Sequence, residues 1–369
     1  MKKFLLLVAA VASLSMSAQN YTFEKIWEVT EGLPTNADAR QGISVNGVYY
    51  INVKGADNFV QAVTAEGIKA TTIPGGTNCG ISRDEAGNLI ISTAVFPNGW
   101  TCDGEAKMIR VVDPATGKSV EYAINEDGAV AGRADFLGLA KGNMMETGEL
   151  YLVGATNAGV VRMNVVDGEL DEDNTFEATC SGLTPSTSTV VNYFKNAAGE
   201  DRALYVTRNA APQILTGDEN FEGTALTLPN KGASNGAQIF VFDGKEYAVY
   251  PTLPNYEDGF AIALVGAEEA AYTVENTGKT AYAQCDWVNA EVDGEGNVTI
   301  YQYLPGIAVR AYKLSKPATA VENVNAGKTV AGVKYVNLAG QVSSEAFDGV
   351  NVVVTTYTDG SQNAVKVVK

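Results

Sequence analysis

The stretch GISRDEAGNLIISTAV, residues 80–95, decides the fold. Its apolar runs flank a DEAGN turn and are too short for helical periodicity, so it reads as a β-hairpin. The same order of strand, polar turn and Val-, Ile-, Leu- or Tyr-rich second strand recurs along the chain. It appears as GISVNGVYYINVKG (42–55), LAKGNMMETGELYLVGA (139–155), YFKNAAGEDRALYVTR (193–208), IFVFDGKEYAVYPT (239–252) and NAEVDGEGNVTIYQY (289–303). With Tyr49, Leu89, Leu150, Leu204, Tyr247 and Val298 as equivalent positions, the spacings are 40, 61, 54, 43 and 51. Repeats of this length, with room for four strands each, are the mark of a β-propeller, whose radial repetition shields sheet edges. The expectation is an all-β chain, a six-bladed β-propeller over residues 19–316 with a small C-terminal β domain. Five or seven blades and a β-sandwich arrangement are the alternatives. The last repeat holds only three strands, and YTFEKIWEV (21–29) supplies its fourth.

Composition narrows the chemistry. The 369 residues carry 26 Lys plus Arg against 43 Asp plus Glu and no His, for a formal charge of −17. Phosphate recognition needs clustered cations, so a nucleic-acid partner is not expected. Without His there is no Ser-His-Asp or Cys-His arrangement and no imidazole metal ligand; no metal and no cofactor are expected. The DGELDED run (167–173) is rich in oxygen ligands, yet lacks the alternation and central Gly of an EF-type loop and reads as a solvated hairpin.

The two ends differ from the middle. Lys2 and Lys3, an apolar run over 4–14 and the small residues Ser15, Ser17 and Ala18 read as a secretory signal peptide over residues 1–18. No later run is long enough to span a membrane, so the expected location is secreted or at the cell surface, by way of the periplasm. Residues 19–316 hold 20 basic and 39 acidic groups, whereas residues 317–369 hold 4 of each. Residues 317–329, PATAVENVNAGKT, read as a linker before a β domain over 330–369.

In that domain YVNLAGQ (335–341), GVNVVVTTY (349–357) and VKVVK (365–369) form three strand-like runs. The tail resembles the C-terminal sorting domains of secreted Bacteroidetes proteins. The resemblance implies export by the type IX pathway, with outer-membrane export machinery as a partner and removal of the tail at the surface. The DEAGN and DGEGN turns look like those of NHL-type six-bladed propellers, and the whole chain is similar to secreted Bacteroidetes propellers of unassigned function.

On such a disc, ligands meet the loops that enter each inner strand and the channel mouth. Trp100, Arg133, Asp135, Tyr256 and Trp287 are the candidate ligand-binding residues there, with Arg40 and Arg208 as further cations. Aromatic rings stack on sugar faces and guanidinium groups fork carboxylates. The expected function is noncatalytic binding of an extracellular glycan or peptide. The alternative is a His-free carbohydrate hydrolase or lyase that uses carboxylates and Tyr at the channel mouth. Four cysteines in an exported chain permit three pairings, and Cys79 with Cys102, in one repeat, is the preferred disulfide; buried thiols are the alternative.

Overall fold

The computed structural model describes residues 21–93, 109–123, 136–153, 160–181, 183, 186, 189–208, 210–217, 220–232, 236–279, 287–316 and 328–368. The chain divides into two compact units, Met1–Ser315 and Lys316–Lys369. Among the described residues, helix is confined to one 3-10 turn, Glu172–Asn174, and everything else regular is strand.

The first unit is built of antiparallel four-stranded meanders, here sheets I to VI. Sheet I comprises Gly42–Val45, Val48–Val53, Phe59–Thr64 and Gly67–Lys69; sheet II comprises Ile81–Arg83, Leu89–Ser92, Ile109–Val112 and Ser119–Tyr122. Sheet III holds Lys141–Asn143, Thr147–Val153, Val160–Val166 and Phe176–Ser181, and sheet IV holds Val190–Lys195, Asp201–Val206, Gln213–Thr216 and Asn220–Ala225. Sheet V contains Gln238–Phe242, Lys245–Pro251, Phe260–Leu264 and Tyr272–Val274. Sheet VI contains Trp287–Val292, Val298–Leu304 and Ala308–Ser315, and Thr22–Val29 completes it by pairing with Ala308–Ser315. One departure from six separate sheets is that the last strands of III and IV pair in parallel, Thr179 opposite Asn220, so the two meanders, with the short strand Glu169–Leu170 that pairs with Val160–Val166, run into one nine-stranded sheet. That pairing covers two edges that would otherwise be open.

Local chemistry explains the hairpins. In the turns that begin at Asp84, Asn196 and Asp293, the first side chain accepts the backbone N–H four residues on, at 2.8 Å in each case. The fourth residue is Gly87, Gly199 or Gly296, each with positive φ, where a Cβ would be strained.

Each sheet buries apolar side chains against the next. Ile43, Val45 and Val60 of I meet Ile81, Leu89 and Ile91 of II, Ile90 and Val111 of II meet Leu150 and Val161 of III, and Tyr151 and Val153 of III meet Val191 and Tyr205 of IV. Phe240 and Phe260 of V meet Val298 and Leu314 of VI. A central cluster joins IV to V through Leu204 and Tyr250 and VI to I through Tyr301 and Tyr49, whose rings stack at 5.6 Å. Full burial of one such side chain is worth about 1.5–3 kcal/mol. The order of contacts is therefore cyclic.

The second unit is a four-stranded sheet in the order Val342–Ser343, Val330–Asn337, Val350–Tyr357 and Gln362–Val368. Its Asn337 turn repeats the same device, accepting the Gln341 N–H at 2.9 Å with Gly340 at positive φ.

Candidate functional site

The first strand of each sheet, here called its inner strand, runs from an entry end to a hairpin end. Between them lies a cycle of buried carboxamides. Gln41 donates to Leu137 O at 2.6 Å and accepts the N–H groups of Ile81 and Leu137, tying I to II and III. Asn192 donates to Ala237 O and accepts from Leu139, each at 3.0 Å. Gln238 accepts from Ala290 at 3.0 Å, and Asn289 donates to Gly42 O at 3.1 Å, which closes the cycle from VI back to I. Arg83 adds a second tie, donating to Ser44 O at 2.7 Å and Ala290 O at 3.0 Å. Each bond satisfies a buried backbone group that would otherwise cost about 1–3 kcal/mol.

At the hairpin end five of the sheets and the segment leading into sheet III line a cavity of about 460 Å³. Val45, Arg83, Lys195, Gln238 and Glu291 bring sheets I, II, IV, V and VI to its lining, and Ala140 lies just before the first strand of III. Arg83 lies 3.7 Å from Glu291, and Lys195 lies 3.8 Å from Glu85. Burial pushes the Arg83 guanidinium below its ordinary value, and Glu291 opposes that. Lys195 also donates to Asp201 and to Tyr193 Oη, both at 2.7 Å. Lys141 pairs with the other oxygen of Asp201 at 2.7 Å. Hydrogen bonds from Lys141, Lys195 and Tyr193 hold Asp201 well below the usual carboxylate range, while burial and Asp201 raise Tyr193.

At the entry end the structure brings together two of the residues singled out in the sequence. Val206 pairs with Val190 and Val249 with Gln238, so Arg208 and Tyr256, which follow those second strands, both emerge where inner strands begin. The Arg208 guanidinium stands 5.9 Å from the centre of the Tyr256 ring. Arg208 lines a cavity of about 400 Å³ with Lys231, Pro212, Leu226 and Leu228. Tyr256 has φ 70, a conformation rare for a non-glycine residue and concentrated at functional positions.

Trp287 opens the inner strand of sheet VI but is only 4% exposed, with its ring tilted against Phe136 at 5.1 Å. Its ring packs in the central cluster with Phe136, from the segment before sheet III, and Val190 of sheet IV. Trp100, Arg133, Asp135 and Cys102 lie outside the described residues. Cys79 is buried in the central cluster. Sequence reading missed Gln41, Arg83, Asn192, Gln238 and Asn289. The signal available was a carboxamide recurring in or just before the inner strand, as Asn289 does in WVNAEV.

Among the described residues no group of His, Cys, Asp or Glu could hold a metal ion, and no helix is long and apolar enough to cross a membrane. No protein-family model matches the chain, and no curated protein does. Among solved structures it is similar to a DUF4623 family protein from Bacteroides eggerthii, at 10% identity and a TM-score of 0.54, over 76% of this chain and 72% of that one. It is also similar to an auxiliary nutrient binding protein from Bacteroides ovatus, at 10% identity and a TM-score of 0.47, over 81% of this chain and 78% of that one. At such identity the first similarity is one of fold alone.

Proposed function

We propose that residues 19–316 form a six-bladed β-propeller of a secreted or surface-exposed Bacteroidetes protein, exported through residues 1–18 and carrying a sorting-like β domain over 330–369. It acts as a noncatalytic binding module for an extracellular glycan or peptide. The cyclic order of sheet contacts, the closing carboxamides and the completion of the last sheet by Thr22–Val29 support the propeller. The observation that carries the function is the entry-end cavity, lined by Arg208, Lys231 and an apolar floor, with the Tyr256 ring 5.9 Å from the Arg208 guanidinium. Trp100, Arg133 and Asp135 remain part of the proposed ligand-binding set, whereas Trp287 is buried in the core.

Binding is favoured over hydrolysis because carboxylates near the cavities are already engaged. Glu149 accepts from Arg162 at 2.7 and 2.6 Å, and Asp201 takes two Lys and a Tyr. Asp201, held ionised by these hydrogen bonds, cannot serve as a general acid. Tyr256→Ala should weaken binding of the best glycan-array or peptide-array hit about tenfold and leave the urea midpoint unchanged. An array with no hit, or a hit indifferent to Tyr256, would remove this site. Limited proteolysis should cut within 317–329 and leave the rest of residues 19–316 intact. Equal protection of that stretch would count against a linker.

A further inference from the structure

The hairpin-end cavity is distinct from the entry-end site, and its contents have a chemistry of their own. Its volume of about 460 Å³ suits a small molecule rather than a folded partner. The charged groups of its lining are Arg83 and Lys195 against Glu291, Glu85 and Asp84, and Asp84 is already taken up by Asn88 and the Met144 N–H. Both cross-pairs are open, at 3.7 and 3.8 Å, about an ångström longer than a closed charge-assisted hydrogen bond. The carboxylates have part of their capacity spent on backbone, Glu291 accepting from Gly47 and Glu85 from Gly142. Arg83 spends both terminal nitrogens on carbonyls, and Lys195 also holds Asp201 and Tyr193.

From these contacts we infer that this cavity is a second binding site, for a short zwitterionic peptide. The ligand's ammonium lies against Glu85 or Glu291 and its carboxylate faces Lys195, while Leu139, Ile239 and Val241 receive an aliphatic side chain. A ligand of one sign is disfavoured on either choice. An anion enters against an excess of 19 acidic groups over residues 19–316, and a cation must approach the Arg83 floor. A neutral sugar is disfavoured because Tyr193, Phe194 and Phe240 are buried and present no open ring face for stacking. It would also leave both pairs desolvated and unanswered.

The test is calorimetric titration of the mature chain with the dipeptide Ala-Leu, its N-acetyl form, its C-terminal amide and maltose. Ala-Leu should bind, and each blocked form should bind at least about tenfold more weakly. Glu85→Gln should weaken Ala-Leu by a similar factor. The Glu85 side chain is 37% exposed, and a glutamine oxygen can still accept the Gly142 N–H, so the fold is retained. Tyr256→Ala should leave Ala-Leu binding unchanged, which separates this site from the entry-end one. Blocked forms that bind as well as Ala-Leu, maltose binding lost in Glu85→Gln, or no binding of Ala-Leu at millimolar concentration would each overturn the proposal.

Discussion

Arg310→Met should destabilise the Met1–Ser315 unit by about 3–5 kcal/mol at neutral pH, read as a fall in the urea midpoint with an unchanged slope. The Arg310 guanidinium is buried and donates to Glu28 at 2.8 Å, Asp258 at 2.8 Å and Gln302 at 3.1 Å. Asp258 is 0% exposed, so methionine leaves a carboxylate in the interior without its counter-charge. Glu28 sits on Thr22–Val29, the strand that completes sheet VI, so the same change loosens the junction between the two ends of the unit.

The pH dependence separates charge from packing. Burial alone would raise the Asp258 carboxyl, but hydrogen bonds from Thr277 and Arg310 more than reverse it; at Glu28 burial is likewise outweighed by Lys25 and Arg310. Both folded-state values are thus depressed. Their stabilisation is fully present above the ordinary carboxylate value of about 4 and is lost as pH falls through the folded values. In Arg310→Met, Asp258 can become neutral and no longer needs a partner. The difference between wild type and variant should therefore narrow below about pH 4. A difference that stays constant as the pH is taken well below that value would mean that Arg310 acts through its packing.

The hairpins were legible because their information is local. DEAGN and DGEGN carry the acceptor, the positive-φ glycine and the apolar flanks within a few residues of one another. The fourth strand of sheet VI was legible too, because a repeat with three strands and an unused strand at the other end of the chain leave one economical pairing. The carboxamide cycle was not. Gln41 meets Leu137 across 96 positions and Asn289 meets Gly42 across 247, and nothing near either residue in sequence says which strand will face it. Arg83 was hidden for the same reason. At the end of a three-residue strand it looks solvated, yet it reaches carbonyls of two other sheets. The pairing of III with IV arises from the ends of two outer strands, where register follows from how long segments return rather than from a repeat.

Trp287 shows how the same residue type divides between ligand platform and core, and its truncation is the second large effect. Trp287→Ala should cost about 3–5 kcal/mol, the range for removing a large buried aromatic when the surroundings cannot collapse. Collapse is restricted here because Tyr303 is the cross-strand partner of Trp287 within sheet VI and Val190 is held in the ladder of sheet IV. The indole N–H is buried without a hydrogen-bond partner, which already costs something in the native state. Trp287→Phe removes that orphaned donor while keeping a ring against Phe136, so it should recover most of the loss. Urea denaturation of the two variants decides the matter. If Trp287→Ala left the midpoint nearly unchanged and instead abolished ligand binding, the ring would have to turn out of the core in solution. A small loss from alanine with a larger one from phenylalanine would mean that the core tolerates a void there better than a misfitted ring.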